Sequence, residues 1–209
     1  MNNEMVEAAR ELFFRYGIRS VTMDDLARHL GVSKKTFYQH FKDKADLVKA
    51  VTELQIRDEE AFIDQVQCEC ENAIDEVIKI SEYVRQMLRQ FHPSLLFDLR
   101  KYYPASWKIF LKHKQGHMVS CIQSNIERGI EEGLYRRRLN PKIMARLRME
   151  VIQVTIDSEV FSPREFDIRE VQMQVFDHYV HGLASDKGRT LWEKYFEQII
   201  PHHKAITND

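Results

Sequence analysis

The chain has 209 residues, 44% of them hydrophobic and 30% charged, and its formal net charge is −1. That balance excludes a disordered polyelectrolyte and predicts either one large folded domain or a small one joined to a larger. Seven glycines and five prolines are few for a sheet built on tight turns, and the cysteines (Cys68, Cys70, Cys121) are odd in number with a lone C-x-C that cannot build a four-ligand zinc site, so they read as reduced thiols of a cytoplasmic protein.

Met5, Ala9, Leu12, Phe13 and Tyr16 recur at helical spacing and predict a first amphipathic helix that stops at Gly17. Glu4, Glu7 and Glu11 within it rule against a signal peptide, and no run approaches the ~18 apolar residues of a membrane helix. Thr22 opens a second helix in capping-box form with Asp25, its buried stripe being Leu26, Ala27 and Leu30. Gly31 supplies the left-handed residue of a sharp turn, and Ser33 caps a third helix whose Phe37 and Phe41, with the preceding Val32, face inward. A fourth helix starts at Asp43 or Lys44 and runs to about Cys68; a fifth spans Asn72 to Phe91. A short helix follows Pro93, and Pro104 starts a long one ending before Gly133, with Gly116 and Gly129 as candidate kinks. Asn140-Pro141 is a cap followed by a first helical residue. Met149 to Phe161 is rich in β-branched residues but is assigned to helix, because a lone strand would have nothing to pair with. Ser162 or Asp167 starts the next helix, to about Gly182, and a last one covers Arg189 to about Ile199.

Between Arg28 and Lys49 the bases are Arg28, Lys34, Lys35, Lys42, Lys44 and Lys49, and the only acids are Asp43 and Asp46. Near-neutral overall, the chain thus carries a local basic patch suited to a polyanion. Within it, "GVSKKTFYQHF" (Gly31 to Phe41) places hydrogen-bonding groups at nearly every position that its phenylalanines leave outside. Helix, glycine turn, helix is the pattern that lays a second helix in the DNA major groove. There Lys34, Lys35 and Gln39 can reach base edges or phosphates, Thr36 offers a hydroxyl or a methyl, and Thr22, Tyr38, His40 and Lys44 lie toward flanking phosphates. The spacing also fits two short structural helices of some other helical protein.

Residues 5 to 51 resemble the DNA-binding domain of the TetR family of bacterial transcription regulators. The resemblance rests on Ala9, Leu12-Phe13 and Gly17, then Thr22, Leu26-Ala27 and Leu30-Gly31-Val32-Ser33, then Thr36-Phe37-Tyr38, His40-Phe41, Lys44 and Leu47. Lys35 and Phe37 depart from the glycine and leucine of many members, which leaves the base or phosphate role of Lys35 open. The resemblance implies an all-α protein, with an N-terminal three-helix helix-turn-helix domain (1–48) joined to a larger helical-bundle domain (49–209) for effector binding and dimerisation. It implies a DNA-facing set of Thr22, Ser33, Lys34, Lys35, Thr36, Tyr38, Gln39, His40 and Lys44, and a homodimer on a palindromic double-stranded operator, usually a repressor released by a small-molecule effector. No catalytic residue, metal, cofactor or membrane partner is implied.

Beyond residue 48 the resemblance is architectural. Helices at 141–160 and about 166–182 stand in the order of the family's dimer-forming pair, with Met149, Ile152, Ile156, Val175 and Tyr179 as candidates for the seam or for the subunit's own core. The tail "FDHYVHGLASDKGRTLWEKYF" is similar to one in part of the family. An effector pocket is expected among the helices from Asn72 to Gly133, lined by Phe91, Phe97, Tyr103, Trp107, Phe110, His113 and His117; the alternative for each is a packed core with satisfied histidines. The competing function, a helical enzyme or metalloprotein with a purely structural helix-turn-helix, needs inward Glu-x-x-His pairs or a comparable motif, and the chain shows none.

Overall fold

Three glycines take positive φ, and each ends a helix: Gly17 (81°), Gly31 (66°) and Gly133 (71°). Side chains rarely adopt that conformation, so these positions punctuate the chain. The computed structural model describes residues 2–155, 160–162 and 164–204. Helices α1 (Asn2–Tyr16), α2 (Met23–His29), α3 (Lys34–His40), α4 (Lys44–Glu69), α5 (Ala73–Arg89), α6 (Leu95–Tyr102) and α7 (Pro104–His113) are followed by a π-helical turn, Lys114–Met118. Then come α8 (Val119–Glu131), α9 (Pro141–Thr155), α10 (Ile168–Leu183) and α11 (Asp186–Lys204). Among the described residues the only β pairing is an isolated bridge between Tyr135 and Ala184. The fold is all-α, as expected.

The long helix expected from Pro104 is interrupted at one of its two glycines: Gly116 lies in the π turn. Gly129 stays inside α8, where an added Cβ would stand 2.1 Å from the Tyr135 ring, so it makes room rather than a kink. The β-branched stretch is helical to Thr155, but Val160 lies in a turn and Phe161 in a bend; residues 156–159, including Ile156, and Pro163 lie outside the described residues. Of the two starts offered for α10, Asp167 is used: its carboxylate accepts from the Arg169 N–H at 2.8 Å, while the Ser162 carbonyl accepts from Glu165 and Phe166 in a turn. Helix α11 begins three residues before Arg189, because Ser185 Oγ accepts from the Gly188 N–H at 3.1 Å. Gly188 is no breaker: a Cβ there would meet the Leu134 carbonyl at 2.0 Å.

The chain divides into two compact units, Met1–Gln65 with Val84–Gly116, and Val66–Tyr83 with His117–Asp209. In the first, Met5, Ala9, Phe13, Leu26, Phe37, Phe41, Leu47 and Val48 form one core with Leu95 and Leu99 of α6. The second is built on Ile74, Ile126, Tyr135, Phe176, Leu183 and Trp192. There the Trp192 ring meets Phe176 edge-on at 5.3 Å and donates its indole N–H to Asp177 at 2.9 Å. The tail quoted above therefore supplies core side chains and the backbone that pairs Arg136 with Leu183 and Ser185 with Leu134.

Candidate nucleic-acid interface

Thr22 and Asp25 form a complete capping box. Thr22 Oγ1 accepts from the Asp25 N–H at 3.1 Å, and the Asp25 carboxylate accepts from the Thr22 N–H at 3.0 Å. Gly31 then turns the chain, the Val32 N–H donating to the Ala27 carbonyl at 3.0 Å. Ser33 Oγ accepts from the Thr36 N–H at 3.0 Å and starts α3. Phe37 is fully buried and Phe41 nearly so, their rings 5.7 Å apart. One anchoring face leaves the rest of this short helix outside.

Of the expected DNA-facing residues, Lys34, Lys35, Thr36, Tyr38, Gln39 and His40 belong to α3, Ser33 caps it, Thr22 caps α2 and Lys44 begins α4. Thr22, Ser33, Lys34, Lys35, Tyr38 and Gln39 are exposed, while Thr36, His40 and Lys44 are half-buried. Lys35, Tyr38, Gln39 and His40 have no hydrogen-bond or ion-pair partner among the described residues. Others are engaged. Lys34 Nζ lies 2.8 Å from Asp24 of α2, and that hydrogen bond holds its proton above the ordinary lysine range. Thr36 Oγ1 is 2.7 Å from Ser33 Oγ, which leaves its methyl as the freer contact. Lys44 turns inward, donating to the Arg19 carbonyl at 3.5 Å with its ammonium 5.8 Å from the Phe13 ring centroid. Burial lowers its pKa against the opposing pull of Asp98.

The residues named for a pocket are divided between the two units, six of them in the first and His117 in the second. Phe91 stands edge-on to Phe14 at 4.5 Å; Trp107 and Phe110 stack at 5.2 Å; these three and Tyr103 pack on the core of the first unit. Phe97 is 47% exposed and touches Tyr102 instead. His113 is buried, its Nδ1 3.1 Å from Glu60 and its Nε2 3.5 Å from Glu59. His117 belongs to the second unit, 3.4 Å from Cys121. His113 and His117 are four residues apart, a spacing that an unbroken α-helix would place on one face. The π turn adds a residue to the repeat there, so i and i+4 no longer superpose.

On α9, Met149 is 5% exposed, within the subunit's own core, and Arg148 lies over the Tyr179 ring at 4.3 Å. The free apolar side is a different one: Ile143 (62% exposed), Leu147 (53%) and Val154 (44%). Their spacing was visible in the sequence, but α9 carries two apolar stripes, and periodicity does not say which one the core takes.

Comparison with known proteins agrees with this geometry. Residues 5–51 match the family described as bacterial regulatory proteins, tetR family. The chain is 26% identical over 178 residues, 80% of its length and 88% of the relative's, to YvaF of Bacillus subtilis (strain 168), an uncharacterised HTH-type transcriptional regulator. A transcriptional regulator from Cytophaga hutchinsonii superposes with a TM-score of 0.67 at 21% identity, covering 88% of this chain and 98% of that one. A regulator from Saccharomonospora viridis, solved in complex with choline, gives 0.73 at 15% identity over 88% and 97%. The capped, glycine-turned pair α2–α3 thus lies within residues 5–51, which match the tetR family of bacterial regulatory proteins, in a chain similar over most of its length to an HTH-type transcriptional regulator.

Proposed function

We propose that the outer face of α3 reads a palindromic operator and that the protein is a cytoplasmic repressor, a homodimer released from DNA by a small-molecule effector. One observation carries the reading. Phe37 alone of the seven residues of α3 is buried, while Lys34, Lys35, Tyr38 and Gln39 all stand in solvent around it. A side so rich in donors and acceptors, on a helix narrow enough for the major groove, suits base and phosphate contact. Lys34, Thr36 and Gln39 take the base edges; Thr22, Tyr38, His40 and Lys44 take phosphates, Ser33 starts the helix, and Lys35 serves either role.

In this reading residues 1–48 hold the DNA contacts, and residues 49–209 bind effector and partner. A second copy covers the apolar side of α9 formed by Ile143, Leu147 and Val154. Two copies place their α3 helices one helical turn of DNA apart, about 34 Å. An effector that favours a different separation lowers DNA affinity, with α4 carrying the change because its Leu47, Val48 and Val51 sit in the core beneath α3. The choline complex of the Saccharomonospora viridis protein supports a small-molecule site in this architecture.

The test is a band shift on the promoter fragment beside the protein's own gene, with excess unrelated DNA. The Lys34→Ala/Thr36→Ala/Gln39→Ala protein should keep its melting temperature and lose specific retention. Undiminished retention by the folded variant overturns the reading.

A further inference from the structure

Arg19 lies between α1 and α2, outside the DNA-facing set expected above. It is exposed, yet it is held at four points. Its backbone N–H donates to Asp98 at 3.3 Å, and its Nη1 donates to the Tyr102 hydroxyl at 3.1 Å. Its guanidinium carbon is 4.5 Å from the Tyr102 ring centroid, and its carbonyl accepts from Lys44. Asp98 and Tyr102 both belong to α6, whose Leu95 and Leu99 are embedded in the helix-turn-helix core. Asp98 is itself 4% exposed, and its carboxylate also accepts from Ser94 Oγ at 3.2 Å.

Two features set this arginine apart from an ordinary surface cation. No carboxylate among the described residues lies within ion-pair distance of its guanidinium, since Asp98 is engaged through the backbone. A second cation, Lys44, is bound to the same residue's carbonyl, and a third, Lys101, has its Nζ 5.4 Å from the Tyr102 ring centroid. Three positive side chains are thus gathered around the residues leading into Thr22. Stacking on an aromatic face orders a guanidinium beforehand, which reduces the entropy lost when an anion arrives.

We infer that Arg19 is a further phosphate-contacting residue of the DNA interface, and that Tyr102 of α6 is the positioning residue that presents it. The inference rests on the proposal that the outer side of α2 and α3 meets DNA. It extends the phosphate-binding border past Thr22 and Lys44 onto the α1–α2 connection. It also makes one backbone contact to DNA depend on where α6 lies.

The experiment measures affinity against salt concentration for the promoter fragment and for an unrelated duplex, using the full-length protein and its Arg19→Ala, Arg19→Lys, Tyr102→Phe and Tyr102→Ala variants. Losing one phosphate contact makes the slope of log K against log salt less negative by about 0.9 per half-site and weakens binding to both DNAs alike. Arg19→Ala should show this change with an unaltered melting temperature. Arg19→Lys should keep most of the slope, and Tyr102→Ala should lose more of it than Tyr102→Phe. An unchanged slope in Arg19→Ala, with or without a lower melting temperature, overturns the inference and leaves Arg19 as a loop anchor. Should Arg19→Ala not fold, the slope of Arg19→Gln decides by the same criterion. The Lys34, Thr36 and Gln39 triple variant runs alongside. If it also binds normally, the α3 reading has failed; if it alone loses specific binding, only the role given to Arg19 has.

Discussion

Lys34 is paired with Asp24 in the free protein at 2.8 Å, so its ammonium reaches a base or phosphate only when that pair opens. Both side chains are exposed, and such a pair is weak. Removing the carboxylate frees the lysine and takes a negative charge away from the side proposed to meet DNA. Asp24→Asn should therefore tighten promoter binding by about twofold to fivefold at low salt, measured by fluorescence anisotropy. Looser binding would mean that Asp24 orders Lys34 rather than restrains it. Ser33 acts locally too, since its Oγ meets both the Thr36 N–H and the Thr36 hydroxyl. Ser33→Ala should lower stability by about 1 kcal/mol, as loss of a helix cap does, and Ser33→Asp should restore it; urea unfolding measures both.

At the scale of elements, α4 and α7 are joined through His113, which Glu59 and Glu60 flank from α4. Burial works against a charged imidazole, but the hydrogen bonds and charges of Glu59 and then Glu60 outweigh it, so the pKa is raised above the ordinary imidazole range. A raised folded-state value adds stability that is complete below the unfolded-state pKa of about 6.5 and disappears as pH rises through the folded-state value. The melting temperature lost in His113→Gln should accordingly be larger at pH 6 than at pH 9. Equal losses at both would show that shape, not charge, makes the joint. The π turn follows directly at Lys114, which fits its role as an interruption that lets His113 and His117 serve different neighbours.

For the whole molecule, the proposed operator binding as a dimer has a measurable consequence. About four to five phosphate contacts in each half predict a salt slope of about −7 to −9 for two halves. Glutamates at Ile143 and Leu147, both more than half exposed on α9, should leave the subunit folded and break the dimer. Sedimentation should then show a monomer, and the slope should fall to about half. A dimer that survives the double substitution would place the seam elsewhere.

What the sequence by itself determined lies within a helical turn or two. The cap of Thr22 with Asp25, the glycine turns at Gly17, Gly31 and Gly133, the cap at Ser33 and the burial of Phe37 between polar neighbours all follow from spacings of three to five residues, and all are present. The outward polar side of α3 was legible for that reason. Other features depend on residues tens of positions apart. Leu95 and Leu99 complete the helix-turn-helix core, Lys44 folds back on Arg19, and Phe97 is left 47% exposed. Position 188 of α11 takes glycine because the Leu134 carbonyl occupies the space of a side chain, and α9 buries Met149 while leaving Leu147 outside. Periodicity marks that a helix has an apolar stripe; only packing against distant helices selects which stripe is covered and which cations remain free to meet a phosphate.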